Sequence, residues 1–238
     1  MMGIRETDLY FPVKMWLESK GCSVKAEVND IDVVGIMDDE NILAVELKKK
    51  LNLEVVNQAV LRQKIADFTY IAVEHDFKSY DSKRFQDTLN TLRRLEIGLL
   101  TVNFRALEPE VYVVLEALPF DRSRSMNSSK KAKAKLIKEF HRRSGDYNNG
   151  GSSKTKIMTG YREDCLRIAW LLKQNGTLTT KEIRNLSPTC LKTTNLLNQN
   201  YYNWYERVAR GEYRISELGE LALVQHAGVV RFFERTEN

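Results

Sequence analysis

Two short apolar runs, Ile31-Asp32-Val33-Val34-Gly35-Ile36 and Ile42-Leu43-Ala44-Val45-Glu46-Leu47, flank the polar turn Asp38-Asp39-Glu40-Asn41, and each carries one acid in an otherwise hydrophobic stretch. Runs of this length between turn residues read as buried strands joined in a hairpin. Side chains alternate along a strand, so Leu43, Val45 and Leu47 point one way while Glu46 and Lys48 share the other face, separated by roughly 7 Å. The hairpin brings Asp32 beside Glu46. Two carboxylates at one end of a hydrophobic sheet repel each other unless a cation neutralises them, and such oxygen ligands suit Mg²⁺ or Mn²⁺. With an ammonium beside the cation, the pattern points to phosphodiester chemistry.

The tripeptide acid-x-lysine proves little by itself. It occurs at Glu18-Ser19-Lys20, Glu46-Leu47-Lys48, Asp76-Phe77-Lys78 and Asp81-Ser82-Lys83. Only the second is embedded in a strand and preceded by an acid-bearing strand.

The flanking segments are helical. Arg5 to Lys20 spaces Leu9, Val13, Trp16 and Leu17 along one face and ends at Gly21, with Pro12 requiring a kink or a start nearby. Glu6, at its beginning, can supply a third carboxylate to a metal, or simply favour a helix N-terminus. Asn52 is placed to cap a helix reaching about Ala66, with Val55, Val56, Ala59 and Val60 inward. Gln58 and Arg62 fall four apart on a common face, where Arg62 either meets nucleic acid or is a solvated charge.

The order helix, strand, strand, strand, helix, followed by a strand at Thr69 to Val73, resembles the αβββαβ core of the PD-(D/E)XK nuclease superfamily. The residues that carry the likeness are Glu6, Asp32, Glu46-Leu47-Lys48 and Gln58. Glu6-Thr7-Asp8-Leu9-Tyr10 with Pro12-Val13-Lys14, Asp32-Val33-Val34 and Gln58-Ala59-Val60-Leu61-Arg62 look like a bacterial family of predicted PD-(D/E)XK phosphodiesterases with a C-terminal winged helix. The resemblance implies an α/β restriction-endonuclease-like fold in which Asp32, Glu46 and Glu6 bind Mg²⁺ or Mn²⁺. It further implies that Lys48 orients the attacking water and stabilises charge on phosphorus, with Gln58 as an accessory. Ile31 stands where the superfamily's nominal proline would precede the first acid, a departure many members share.

Composition narrows the alternatives. Cys22, Cys165 and Cys190 are far apart, as are His75, His141 and His226, so a disulfide framework and a zinc or histidine-metal nuclease are disfavoured. No apolar run approaches a membrane span and Met1 to Lys20 has no signal-peptide core, which makes the cytoplasm the expected location.

The net charge of +5 is concentrated. Between Arg122 and Arg143 the charge is +8, and the rest of the chain carries −3. Such a segment suits phosphate contacts, or is a solvated linker helix. Ser123 to Ser129 reads as irregular polar chain, Lys130 to Arg143 as a helix with Leu136, Ile137 and Phe140 in register, and Gly145 to Ser153 as a loop. Under the resemblance, Gly145-Asp146, Gly150-Gly151-Ser152 and Lys156 to Arg162 look like a family signature that is part of a site or hinge. The expected domains are therefore 1–120 (nuclease), 121–160 (basic linker helix and loop) and 161–238 (winged helix).

Ser82 to Leu95 reads as a further helix, and Leu99 to Phe104 and Val111 to Leu118 as strands extending the nuclease sheet. In the last domain, Arg162 to Gln174 is a helix, Thr179 with Glu182 forms a capping box for a second, and Ser187-Pro188 starts a third. Trp204 to Val208 and Tyr213 to Ile215 make a hairpin around Arg210-Gly211-Glu212, and Ser216 begins a last helix. The third helix offers Lys192, Thr193, Asn195, Asn198 and Gln199 to base edges. Arg207, Arg210 and Arg214 on the wing can hold the phosphate backbone, with Arg62, Lys130, Lys131, Lys133, Lys135, Arg142 and Arg143 as further nucleic-acid contacts. Winged helices also dock proteins or form homodimers. The expectation is thus a Mg²⁺-dependent endonuclease acting on DNA in restriction, defence or repair. A non-catalytic DNA-binding protein on the same fold, or an RNA-processing nuclease, is the alternative.

Overall fold

The computed structural model describes residues 4–75, 81–105, 107–190 and 192–236, so the Asp76-Phe77-Lys78 tripeptide lies outside them. The chain forms two units, residues 1–124 and 125–238. The division falls inside the segment expected as a linker.

In the first unit a 3-10 turn, Glu6–Leu9, leads into α1 (Tyr10–Ser19), followed by β1 (Ser23–Val28), β2 (Ile31–Ile36), β3 (Ile42–Lys48), α2 (Leu53–Arg62) and β4 (Phe68–Glu74). α3 (Lys83–Arg94), β5 (Ile97–Asn103) and β6 (Glu110–Leu115) complete it. The chain is mixed α/β. Pro12 is the third residue of α1, within the first turn where the N–H groups have no partner inside the helix, so the helix starts two residues before the proline. α2 stops at Arg62, short of Ala66, and Val60 is 38% exposed: the buried stripe is Val55 and Ala59, one turn apart, and Val60 falls off its edge.

The six strands form one sheet in the order β1-β2-β3-β4-β5-β6. β3, β4 and β5 are parallel and the outer pairings antiparallel. α2 and α3 are the crossovers of the parallel trio, and strands covered on both faces become continuous apolar runs, which is why β5 is buried throughout. Strand alternation sorts the two faces. Val33, Leu43, Val45, Leu47, Tyr70, Ala72, Leu100 and Val102 pack with Leu9 of the 3-10 turn and Val13 and Leu17 of α1. Ile71, Val73, Ile97 and Leu99 pack with Val55 and Ala59 of α2 and Leu89 and Leu92 of α3.

The second unit begins within α4 (Arg122–Ser128), a helix where polar composition predicts irregular chain; Asp121 Oδ1 accepts from Arg124 N at 2.8 Å and so caps it. Next come α5 (Lys130–Arg142), α6 (Gly160–Asn175), β7 (Leu178–Thr179), α7 (Thr180–Leu186) and α8 (Thr193–Gln199). β8 (Tyr205–Ala209), β9 (Glu212–Ile215), α9 (Glu217–Gln225) and α10 (Ala227–Thr236) follow, the last being a helix beyond the one expected to end the chain. A small sheet, β7-β9-β8, lies beside a core built around Leu166, Ile168, Ala169 and Leu172 of α6.

Both arms of the Thr179–Glu182 capping box are present. Ser187-Pro188, by contrast, opens a turn and no helix: Cys190 N donates back to Ser187 O at 3.1 Å, and α8 begins only at Thr193. Among the described residues no helix is long and apolar enough to cross a membrane.

Candidate active site

Every residue of the expected catalytic set except Gln58 gathers at the C-terminal end of β3. The β2–β3 register pairs Val33 with Val45, and one step further the Asp32 carboxylate replaces a ladder partner, its Oδ2 accepting from Leu47 N at 2.7 Å. Asp32 is therefore held against β3 next to Glu46. Glu46 points to the α2 side and is only 2% exposed. Its Oε1 accepts from Arg62 Nε at 2.6 Å, and Arg62 also donates to the Asp30 carbonyl. Burial pushes the Glu46 carboxyl above its ordinary range; Arg62 opposes that shift, and the charges of Asp32 and Glu27 add to it.

Lys48, two residues on, shares the face of Glu46 as alternation requires. Its Nζ lies 3.7 Å from Glu6 Oε2 and 3.9 Å from Glu54 Oε2. Glu6 reaches the site because the 3-10 turn lies over the end of β3, where Lys49 N donates to Glu6 Oε1 at 3.3 Å. Gln58 is half-buried on α2, one turn before Arg62, and no described hydrogen bond joins it to the carboxylates or to Lys48.

Two participants were not legible in the sequence reading. Arg62 is neither a solvated charge nor free for nucleic acid, since it is the counterion of Glu46. Glu27 is the second. Ala26 pairs with Val33 and Val28 with Ile31, which leaves Glu27 facing Asp32 across β1 and β2. Its φ of 55° is left-handed, a strained conformation for a non-glycine residue within a strand. Glu27, Asp32, Glu6, Tyr10 and Leu47 line one concavity of about 370 Å³. A signal for β1 existed in Asn29-Asp30, whose φ values of 51° and 61° form the two-residue hairpin turn that Asn and Asp favour.

The donor set can be tested against a metal. Among the described residues no three His, Cys, Asp or Glu side chains are grouped to enclose an ion. Asp32 and Glu46 each keep one carboxylate oxygen outside the described hydrogen bonds. Asp32 borders the 370 Å³ concavity while Glu46 beside it is enclosed against Arg62, and two neighbouring carboxylates fit Mg²⁺, which commonly takes one or two carboxylates and completes its shell with water and substrate phosphate. They do not form a zinc cage.

The expected nucleic-acid contacts of the second unit divide into two groups. Lys130, Lys131, Lys133 and Lys135 on α5 are exposed, as are Lys192, Asn195, Asn198, Arg207 and Arg210. Others turn inward. Arg142 Nε donates to Asp164 Oδ2 at 2.9 Å and Arg143 Nε to Glu139 Oε1 at 3.0 Å, so these two hold α5 together and onto α6 and do not stand free for phosphate. Glu139 also accepts from Gly160 N at 2.9 Å, and Ser144 N donates to the buried Glu163 at 3.1 Å. Thr193 is 1% exposed and donates to the Cys190 carbonyl at 2.7 Å, which removes it from the candidate readers of bases. Arg214 is paired with Glu206 at 2.7 Å. The loop after α5 is fastened by Asn148, which donates to Met158 O at 2.8 Å and accepts from Met158 N at 2.6 Å.

Comparison with known proteins adds the following. A family model described as "Putative PD-(D/E)XK phosphodiesterase (DUF2161)" matches residues 100–222, just over half of the chain, from β5 into α9. The acids and lysine of the site lie before the matched residues. No curated protein matches the chain. A solved structure, the SPO1766 protein of unknown function from Silicibacter pomeroyi, is similar at 15% identity with a TM-score of 0.33, over 62% of this chain and 100% of its own.

Proposed function

The chain belongs to the PD-(D/E)XK phosphodiesterase family DUF2161, and from that premise we propose that it is a Mg²⁺-dependent nuclease that hydrolyses phosphodiester bonds of DNA. The observation that carries the reading is the convergence of Asp32 and Glu46 on one face of β2 and β3, with Lys48 two residues further along it. Asp32 and Glu46 would hold the cation, with Glu6 or Glu27 completing the acidic rim, and the chemistry it would supply when bound is Lewis acidity toward the phosphate and a lowered pKa of its water. Lys48, steadied between Glu6 and Glu54, directs its ammonium at the non-bridging oxygens and stabilises the charge that grows on them in the transition state. The peptide N–H of Leu47 keeps Asp32 from rotating away.

The second unit supports a role in grip. Helix, strand, two helices and a two-stranded hairpin, with the sheet order β7-β9-β8, support reading this unit as a winged helix. α8 turns Leu196 and Leu197 inward and leaves Asn195 outward, where its amide can meet base edges, whereas Asn198 Oδ1 already accepts from the Tyr213 hydroxyl at 3.0 Å. The lysines of α5 and Arg210 at the hairpin tip add phosphate contacts that carry no sequence information.

One observation favours a second reading. Arg62 already neutralises Glu46 much as a cation would, so the same fold can stand without metal as a non-catalytic DNA-binding protein. Incubating the chain with Mg²⁺ and duplex, branched or single-stranded DNA, or RNA, beside calorimetry of Mn²⁺ binding, decides. Mn²⁺ binding lost in Asp32→Ala together with cleavage supports the nuclease. Binding to DNA with neither metal uptake nor cleavage supports the second reading, and cleavage of RNA alone would reassign the substrate.

A further inference from the structure

Lys48 opens a row that runs across the parallel strands. It pairs with Val73 of β4, and Val73 pairs with Thr101 of β5, so the three stand side by side at the C-terminal edge of the trio, on the face that carries Glu46. Two strand spacings put Thr101 about 10 Å from Lys48. Ligands of open α/β sheets bind at this edge of the strands. A cleft of about 520 Å³ lies here, with Val73, Leu99 and Thr101 among its lining and Lys49, Lys50 and Arg84 around it.

The lining of this cleft is rich in cations. Lys48 and Arg62 are held by carboxylates, whereas Lys49, Lys50 and Arg84 have no ion pair among the described residues, and Glu74 is the one acid among the described lining residues. α3 enters the cleft by its N-terminus at Ser82, and its first turn holds Lys83 and Arg84 with no acid. Cations at the positive end of a helix dipole repel it, and an anion seated there relieves both charges at once.

We propose that this cleft binds the phosphodiester backbone of the nucleic-acid strand that is cut beside Lys48, a reading that rests on the nuclease function above. A strand carries one phosphate per 3.4 Å of helix axis, so the roughly 10 Å from Lys48 to Thr101 corresponds to about three phosphates. The cleft thereby holds the strand a few nucleotides from the bond that breaks.

The test uses the full chain in EDTA, where no cleavage occurs. Binding of a short DNA duplex and of its single strand is followed by fluorescence anisotropy at several salt concentrations. Lys49→Gln/Lys50→Gln/Arg84→Gln is compared with Lys20→Gln/Lys25→Gln/Lys64→Gln, which removes the same charge from elsewhere on the first unit; circular dichroism verifies that both fold. Three lost contacts should flatten the slope of log affinity against log salt by about 2 to 3 units in the cleft variant, and by less than about 1 in the control. Equal slopes in the two variants, or a cleft variant that keeps the wild-type slope, would overturn the proposal. A parallel Mg²⁺ cleavage assay separates the two claims. Cleavage with no cleft effect removes the cleft and leaves the nuclease; a cleft effect with no cleavage removes the nuclease and leaves the cleft; a wild type that neither binds a probe nor cleaves removes both.

Discussion

Arg62 Nε lies 2.6 Å from Glu46 Oε1, and the pair is nearly withdrawn from solvent, with the two side chains 19% and 2% exposed. A buried carboxylate left without its partner costs far more than the pair contributes when intact. Arg62 is thus a condition for keeping an acid inside the sheet at all.

Replacing Arg62 by Ala should destabilise the first unit by about 3 to 5 kcal/mol, because it strands a charge in the interior. Urea denaturation measures this. Mn²⁺ should restore part of the loss by taking over the charge of Glu46, and should stabilise the wild type less. A variant as stable as the wild type would show that Glu46 does not depend on the guanidinium.

Lys48→Gln should abolish cleavage while leaving the fold intact. Its partners Glu6 and Glu54 are 47% and 67% exposed, and ion pairs of that kind contribute less than about 1 kcal/mol. Mn²⁺ affinity should persist, since lysine is no metal ligand. A Lys48→Gln protein cutting at the wild-type rate would end the catalytic assignment.

Burial raises the Asp164 carboxyl above its ordinary value of 3.8, with Arg142 only partly countering it. A group whose folded pKa lies above its unfolded one adds stability that is complete below the unfolded value and is lost as pH rises through the folded value. The stability of the wild type relative to Asp164→Asn should therefore decline as pH is raised from about 3 toward neutrality. Chemical denaturation of both proteins across that range checks the sign, and a difference that grows with pH would contradict it.

Cys22, Cys165 and Cys190 are buried and form no disulfide, and burial pushes the Cys165 thiol up to about 11. Only thiolate attacks a disulfide reagent, so near pH 8 about one Cys165 in a thousand is reactive even before access is considered. Native protein should react slowly with an aromatic disulfide and release three equivalents only on unfolding. Prompt stoichiometric reaction would show that the cores around Cys22, Cys165 or Cys190 open readily.

Alternation and local capping made much of this molecule readable in advance. The apolar runs of β2 and β3, the turn between them, Asn52 at the start of α2, Ser82 at the start of α3 and the Thr179–Glu182 box are all decided within a few residues of chain. Such signals act through backbone hydrogen bonds and strand periodicity, which no distant residue need complete. They also placed Glu46 and Lys48 on a common face.

What the sequence by itself determined is therefore the α/β order of the first unit and the pairing of an acid with a lysine on one strand. The tertiary structure alone decided what surrounds them. Arg62 meets Glu46 from sixteen residues away, Glu27 faces Asp32 only once β1 is registered on β2, and Arg142 is taken up by Asp164 rather than left to solvent. A charged side chain looks the same in sequence whether it is solvated or paired. Its fate is settled when folding removes water from an opposing charge, because the cost of burying that charge alone selects the partner.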